Sequence, residues 1–476
     1  MGSIFSKKNI YFLIIGLILL FGFLIRLKLF LDNPSFWFDE SALGYNVLAL
    51  NFKEFFGVLH LQQVAPPLFL VISKLMTKIF GASDLVLRLF PFIIGNLVMI
   101  LFLLILNQNL KNKFTIITGL ILFCLNIQAI KFSVEFKPYI LDLFSTCLIL
   151  YAFNKLNWEL SFKKLLSIGV LFAFLPWFSF VSAGMLLVAI IVKFDKNYIK
   201  KIFAFISPIL LSIVMLIFYY LNVRNFYGNF MTDFFKNSFF NLKEFPIQFF
   251  IGFDYLFNFY FAVIPFLLFF SGVIYSIVKK KHIFLVKFSL IVLIGYVLCS
   301  FLKIYPFYDR FLLFLLPLIL LPMLFIADIL FEKKNILITI FTCLIFSTFL
   351  IPLDFFAKKF IFEPFSKESC ARELFYTMAE KQKDDDVIVV DTLSVCDFLY
   401  YNMYLNLQNV SYLNVDVKDG IIQYKTSRNV AIPKNNKFDK WLYASWPSSG
   451  YSYLKYDYKK GCSVKSGQIL YIKGNK

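Results

Sequence analysis

Asn33-Pro34-Ser35-Phe36-Trp37-Phe38-Asp39-Glu40-Ser41-Ala42 follows directly on an apolar run from Tyr11 to Leu31. A run of that length can cross a bilayer, whose core needs roughly 20 residues of helix. The stretch therefore sets two carboxylates among aromatic residues at a membrane boundary. A carboxylate near hydrocarbon is tolerated when it is solvated, paired or lining a polar cavity, which makes Asp39 and Glu40 functional candidates. The same residues also fit a plain helix start, with Asn33 or Ser35 as the cap and both acids in the first turn, where negative charge suits the helix dipole.

The rest of the chain is of the same kind. It has 476 residues, 60% of them apolar and 16% charged, and a mean hydropathy of +0.75. That composition excludes a soluble globular protein and indicates a polytopic membrane protein. The net charge of +19 does not point to nucleic acid, because the lysines fall in short clusters between apolar runs, which is how membrane topology is written. Lys7 and Lys8 place the amino end in the cytoplasm, and the first span, with no small-residue cleavage site after it, reads as retained rather than as a signal peptide. The opening Met1-Gly2-Ser3-Ile4-Phe5-Ser6 fits a myristoylation pattern, but a multi-span protein gains little from one acyl chain.

Further spans are predicted at 86–107, 114–132, 139–155, 202–222, 259–278, 283–302, 311–330 and 335–352. Lysines flank 165–193 on both sides, so that stretch is expected to enter and return, turning near Pro176-Trp177. Counted as two, it brings the total to about eleven, which puts the carboxyl end outside the cytoplasm. The clusters Lys111 and Lys113, Lys163 and Lys164, Lys196 to Lys201, Lys279 to Lys281, and Lys333 and Lys334 all fall on the predicted cytoplasmic side.

The expected fold class is mainly α, a transmembrane domain over 1–352 followed by a small extracytoplasmic α/β domain over 353–476. The long first outer loop, 32–85, contains amphipathic stretches near 39–56 and 67–80 that suit helices on the membrane surface. A second outer loop, 223–258, rich in Phe, Tyr and Asn, suits either a lid or an interfacial aromatic belt. In the carboxyl-terminal part, Val387-Ile388-Val389-Val390 reads as a buried strand between helices at 367–382 and 394–405, with later strands at 409–415, 441–445 and 468–473. Cys124, Cys147, Cys299 and Cys343 lie in spans, whereas Cys370, Cys396 and Cys462 lie in the outer domain, where an oxidising compartment permits one disulfide of open connectivity. With only His60 and His282 and no Cys-x-x-Cys, zinc has little support. Asp384-Asp385-Asp386 reads as a turn before the strand.

Three clusters bring a fixed cation to the outer membrane level of Asp39: Arg88, at the mouth of the second span; Lys137, in Ser133-Val134-Glu135-Phe136-Lys137-Pro138-Tyr139; and Arg310, in Tyr305-Pro306-Phe307-Tyr308-Asp309-Arg310-Phe311. Each taken singly also suits an interfacial anchor.

At these residues the chain resembles the membrane-embedded C-type fold glycosyltransferases, in the family-39-like branch of protein O-mannosyltransferases and bacterial aminoarabinose transferases. The resemblance covers roughly the first 330 residues. It rests on Trp37-Phe38-Asp39-Glu40, Pro66-Pro67-Leu68, Arg88-x-x-Pro91-x-x-x-Gly95, Glu135-x-Lys137-Pro138-Tyr139, and Arg310-Phe311 before Pro317. Ala65 stands where relatives often carry His or Lys, and Lys137 where Arg is common. The resemblance implies transfer of a sugar from a polyprenyl-phosphate carrier to a lipid, glycan or protein acceptor on the extracytoplasmic face, with inversion, in a bacterial plasma membrane. Asp39 is then the expected base, with Glu40 supporting the acceptor or the loop. Arg310 and Lys137, with Arg88 as a weaker third, are expected to hold the carrier phosphate, with Glu135, Tyr139, Pro66 and Pro67 in support.

The chemistry of the residues is consistent with that implication. Such a transfer needs cations for the departing phosphate and a base for the acceptor hydroxyl. The phosphate ester supplies the driving force, so no cofactor and no nucleotide-binding loop is called for, and a divalent metal requirement is left open. Expected partners are the lipid-linked donor, the acceptor and membrane lipids, not nucleic acid. A transporter or lipid flippase is the alternative, and it predicts inverted repeats with interrupted helices, which the sequence does not display. A membrane scaffold is a third reading, one that leaves the Asp39 stretch unexplained.

Overall fold

In a computed structural model of the protein, the residues described are 7–228, 233–257, 263–332, 371–381, 387–390, 395–405, 410–412, 415–418, 421–424, 441–445 and 468–472. The helices begin with α1 (Lys7–Asp32), α2 (Phe38–Ala49), α3 (Pro67–Phe80), α4 (Asp84–Asn109), α5 (Lys113–Cys124) and α6 (Ile127–Ser133). They continue with α7 (Tyr139–Lys155), α8 (Phe162–Ala173), α9 (Leu175–Phe178), α10 (Val181–Val192), α11 (Ile199–Tyr227) and α12 (Phe245–Phe257). After these come α13 (Val263–Val278), α14 (Ile283–Phe301), α15 (Leu316–Glu332), α16 (Ala371–Lys381) and α17 (Val395–Leu405). A 3₁₀ segment, Asp309–Leu315, leads into α15.

Among the described residues, five helical stretches are long and apolar enough to cross a membrane, or six if α5 and α6, bent by 52°, form one span. The chain is an integral membrane protein. The expectation of eleven spans also drew on shorter helices: α7 has 17 residues and α8 and α10 have 12 each. At 1.5 Å per residue the 12-residue helices reach only about 18 Å, short of a core about 30 Å thick. Pro176 and Trp177 lie in α9, between α8 and α10, where the sequence places its turn. The predicted span at 335–352 lies outside the described residues, as do Cys343, Cys370, Cys462 and Asp384 to Asp386.

The chain divides into two compact units, Met1–Lys28 with Pro91–Ala357, and Leu29–Phe90 with Lys358–Lys476. The sequence reading separates 1–352 from 353–476; by contacts, the first outer loop groups instead with the carboxyl-terminal residues.

Within the first unit, small residues let helix backbones meet, as expected where lipid removes most of the hydrophobic drive. A Cβ on Gly169 of α8 would collide with the carbonyl of Phe205 on α11, and one on Gly272 of α13 with that of Pro322 on α15. Aromatic packing fills the remaining core. Phe102 stacks on Phe123 with centroids 4.0 Å apart, and Phe153 meets Phe172 and Phe205 edge-on.

In the second unit, Asn33 follows the last residue of α1, and its φ of 39° is the left-handed conformation that Asn tolerates just past a helix end. Pro67 opens α3 at a position where its missing N–H costs nothing. α2 packs against α17 and α17 against α16. The strands are β1 (Val387–Val390), β2 (Val410–Tyr412), β3 (Val415–Lys418), β4 (Ile421–Tyr424), β5 (Trp441–Ser445) and β6 (Gln468–Ile472). Four of them form a sheet in the order β2-β1-β6-β5, while β3 and β4 form a separate antiparallel pair. β1 and β2 run parallel, with Ile388 opposite Val410. Parallel neighbours need a crossover, and α17 lies in the chain between them. The remaining pairings, β1 with β6 and β5 with β6, are antiparallel.

Candidate active site

The acid pair begins α2. The N-cap position is Trp37, which provides no side-chain cap bond, and Asp39 and Glu40 occupy the first turn. Neither capping candidate from the sequence serves as the cap. The Asn33 side chain accepts a hydrogen bond from Arg88 at 3.3 Å, and the Ser35 hydroxyl donates to Glu373 at 3.0 Å.

Burial separates the two acids. Glu40 is 2% exposed, whereas Asp39 is half-buried. Both oxygens of Glu40 are taken by Arg88, with Nε donating to Oε1 at 2.9 Å and Nη2 to Oε2 at 2.7 Å. Paired N–H groups on paired carboxylate oxygens make a strong, directional ion pair. Arg88 also donates from Nη1 to the Pro34 carbonyl at 2.6 Å, and its guanidinium lies 4.6 Å from the Phe36 ring centre. The third cation expected at the carrier phosphate thus holds Glu40 and the 33–36 turn in place.

Behind α2, Asn46 fastens the loop that leads to α3. Its amide donates to the His60 carbonyl at 3.1 Å and its oxygen accepts from the His60 N–H at 2.7 Å. Burial pulls the His60 imidazole below its ordinary pKa, with Glu54 opposing, so the ring stays neutral at pH 7. Pro66 and Pro67 are both buried at the start of α3. Among the described residues no three His, Cys, Asp or Glu are grouped so as to hold a metal ion.

The other sequence candidates belong to the first unit. Glu135 and Lys137 are buried, at 6% and 5% exposure, in a tight turn where the Lys137 N–H donates to the Glu135 carbonyl at 2.7 Å. Pro138 is the N-cap of α7 and Tyr139 its first residue. Arg310 is half-buried in the 3₁₀ segment, its guanidinium 5.5 Å from the Tyr139 ring centre and 5.7 Å from that of Phe311. Asp309, immediately before it, has a φ of 45°, a left-handed conformation open to Asp more than to most side chains. The Tyr255 phenol of α12 is pushed above its ordinary range by burial, with Asp309, its hydrogen-bond partner, and Glu135 reinforcing and Arg310 opposing. Glu135, Tyr139, Tyr255, Asp309 and Arg310 therefore form one electrostatic neighbourhood.

Sequence reasoning passed over Arg26. It is fully buried in α1, donating through Nη1 to the Gly22 and Cys124 carbonyls at 3.0 Å each and through Nε to Ser133 Oγ at 3.1 Å. Cys124 ends α5 just before the 52° bend, so Arg26 satisfies a carbonyl that the broken helix leaves open. Ser133 stands two residues before Glu135. A lone arginine inside an apolar run was the available signal.

No family model matches the chain, and no curated protein matches it. Among solved structures it is similar to the Archaeoglobus fulgidus oligosaccharyltransferase tethered with an acceptor peptide, at 13% identity and a TM-score of 0.46, covering 83% of this chain and 59% of that one. The same archaeal enzyme in complex with an inhibitory peptide and a dolichol-phosphate aligns at 12% identity and a TM-score of 0.44. The S. cerevisiae protein O-mannosyltransferase Pmt1-Pmt2 complex bound to the sugar donor aligns at 17% identity and a TM-score of 0.34, over 50% of this chain and 36% of that one. This chain spans about three fifths of the length of the archaeal structures.

Proposed function

We propose that the protein is an integral-membrane glycosyltransferase that moves a sugar from a polyprenyl-phosphate donor to a lipid, glycan or protein acceptor on the extracytoplasmic face, with inversion. The observation that carries this reading is the split of the acid pair: Glu40 is buried and held by Arg88, while Asp39, next to it, is half-buried at the head of the same helix. The buried acid supports the helix, and the half-buried one is assigned the role of base. In the proposed step Asp39 takes the proton of the acceptor hydroxyl, the acceptor oxygen bonds to the anomeric carbon, and the bond from that carbon to the phosphate oxygen breaks. Arg310 and Lys137, with Arg88 as a weaker third that also bonds Glu40, are assigned the departing polyprenyl phosphate.

The finer topology belongs to the same proposal. It comprises about eleven spans, a cytoplasmic amino end, residues 353–476 as an extracytoplasmic α/β domain, and residence in a bacterial plasma membrane.

The test is reconstitution of the full chain in liposomes with a polyprenyl-phosphate sugar. Consumption of the donor with release of polyprenyl phosphate is expected, and Asp39→Asn should lower kcat by about 100-fold or more while inserting normally. Movement of intact donor between leaflets with no cleavage would identify a flippase instead. Near-normal turnover by Asp39→Asn removes Asp39 from the role of base.

A further inference from the structure

We infer that Asp84, gripped by Arg372, Tyr400 and Tyr401, anchors α16 and α17 as positioning elements for the Asp39 helix. The inference rests on the reading of Asp39 given above, and every contact in it lies within the second unit.

Asp84 is the first residue of α4 and is nearly buried, at 5% exposure. Its Oδ1 accepts from the Tyr400 hydroxyl at 2.7 Å, and its Oδ2 accepts from the Tyr401 hydroxyl at 2.9 Å and from Arg372 Nε at 3.0 Å, with Arg372 Nη2 as a further donor. A buried carboxylate with so many donors is fixed in place. Burial disfavours charge on Arg372, and Asp84 with Tyr401 outweighs it, so the guanidinium stays charged.

Each of the three gripping residues also reaches the turn that leads into α2. Arg372 donates to the Asn33 carbonyl at 3.0 Å and to the Pro34 carbonyl at 3.2 Å. The Pro34 carbonyl accepts from Arg88 as well, so two arginines from different helices converge on one backbone oxygen. The Tyr401 hydroxyl accepts the Phe36 N–H at 3.0 Å while donating to Asp84. Tyr400 packs on Phe36 with ring centres 4.9 Å apart and lies against Gly44, where an added Cβ would sit 2.8 Å from its Cε2 atom.

These contacts form a chain of constraint. Trp37 gives α2 no side-chain cap, so the start of the helix is fixed by the Phe36 N–H on Tyr401 and the Glu40 carboxylate on Arg88. Arg88 lies one turn along α4 from Asp84, so the two anchors share a helix face. A shift of α17 reaches the Phe36 N–H directly and Asp39 three residues later. Misplacing a base by about 1 Å can cost about 100-fold in rate. Arg372, Tyr400, Tyr401 and Asp84 act through the backbone of 33–36 and not on a reacting atom.

The test uses the full-length protein with Tyr401→Phe, which keeps the ring and removes the hydroxyl, and Gly44→Ala, which keeps every polar group and presses on Tyr400. Hydrogen exchange of the 36–42 amides is read without substrate, and kcat and KM for a polyprenyl-phosphate sugar are read separately. Both variants are expected to exchange faster over 36–42 and to lose about tenfold or more in kcat, with KM for the donor unchanged. An active wild-type protein whose variants keep both its exchange and its kcat overturns the inference. So does a fall in kcat with exchange unchanged, because the effect then does not pass through this turn. If exchange changes as expected but the wild type transfers no sugar, the glycosyltransferase reading fails and the clasp itself stands.

Discussion

Arg88 and Glu40 form a two-bond ion pair with both side chains out of solvent, at 3% and 2% exposure. Desolvating two charges is expensive, and removing only one partner of a buried pair is destabilising by about 3–5 kcal/mol because the other charge is stranded. Arg88→Met should therefore lower the thermal midpoint of the purified protein sharply. Arg88→Met combined with Glu40→Gln should recover part of the loss, since no bare charge remains. Affinity for a polyprenyl-phosphate donor is the deciding readout. If Arg88→Met weakens the donor and leaves the midpoint untouched, Arg88 contacts phosphate, as its position in the sequence first suggested.

Much of the helical frame was legible from apolar runs. The span read at 139–155 coincides with α7, and those at 86–107 and 283–302 lie within two residues of α4 and α14 at either end. Length and hydropathy reveal these because each run is long and flanked by charge. The bend between α5 and α6 was hidden in a continuous apolar run, although Asn126, which caps α6 by accepting from the Ala129 N–H, marked the place. The acid pair was legible as chemistry, but its division of labour was not. Glu40 meets Arg88 across 48 positions and Asp84 meets Arg372 across 288, and no local pattern encodes such pairings. Membrane level and the motif Arg88-x-x-Pro91-x-x-x-Gly95 set Arg88 beside Arg310 and Lys137 in the sequence, and neither says which carboxylate lies next to it. Arg372, Tyr400 and Tyr401 looked like ordinary residues of a soluble helix pair.

Asp397 of α17 offers a pH-dependent measurement on the same packing. It is 1% exposed, and Ser41 approaches it closely enough to favour its charged form without completing a hydrogen bond of good geometry. Burial pushes its carboxyl up to about 7, with Glu40 and Asp84 adding to the rise and Ser41 opposing it. An unfolded Asp releases its proton near pH 3.9. Between roughly pH 4 and 7 the folded state holds more protons than the unfolded one, so stability falls as pH rises through that window. The full effect is on the order of 4 kcal/mol. Comparing thermal midpoints of wild type and Asp397→Asn across this range isolates it: the wild type should lose ground steadily to the variant as pH rises. A constant difference between the two would mean that Asp397 does not titrate there.

Arg310 poses a choice between gripping phosphate and anchoring a helix. Its guanidinium lies over Tyr139 and Phe311, and Asp309 before it is held in a left-handed conformation, so the head group is placed by the fold rather than left on a free stem. An arginine so placed can present two parallel N–H groups to phosphate oxygens, whereas lysine offers a compact point charge and stacks less well on an aromatic face. Arg310→Lys should weaken binding of a polyprenyl-phosphate sugar about tenfold despite keeping the charge, and Arg310→Ala should weaken it further. An interfacial anchor makes the opposite prediction, because lysine reaches the headgroup region equally well. Donor affinity and turnover measured for Arg310→Lys decide between them. Values equal to wild type would leave Arg310 as an anchor and remove it from the phosphate site.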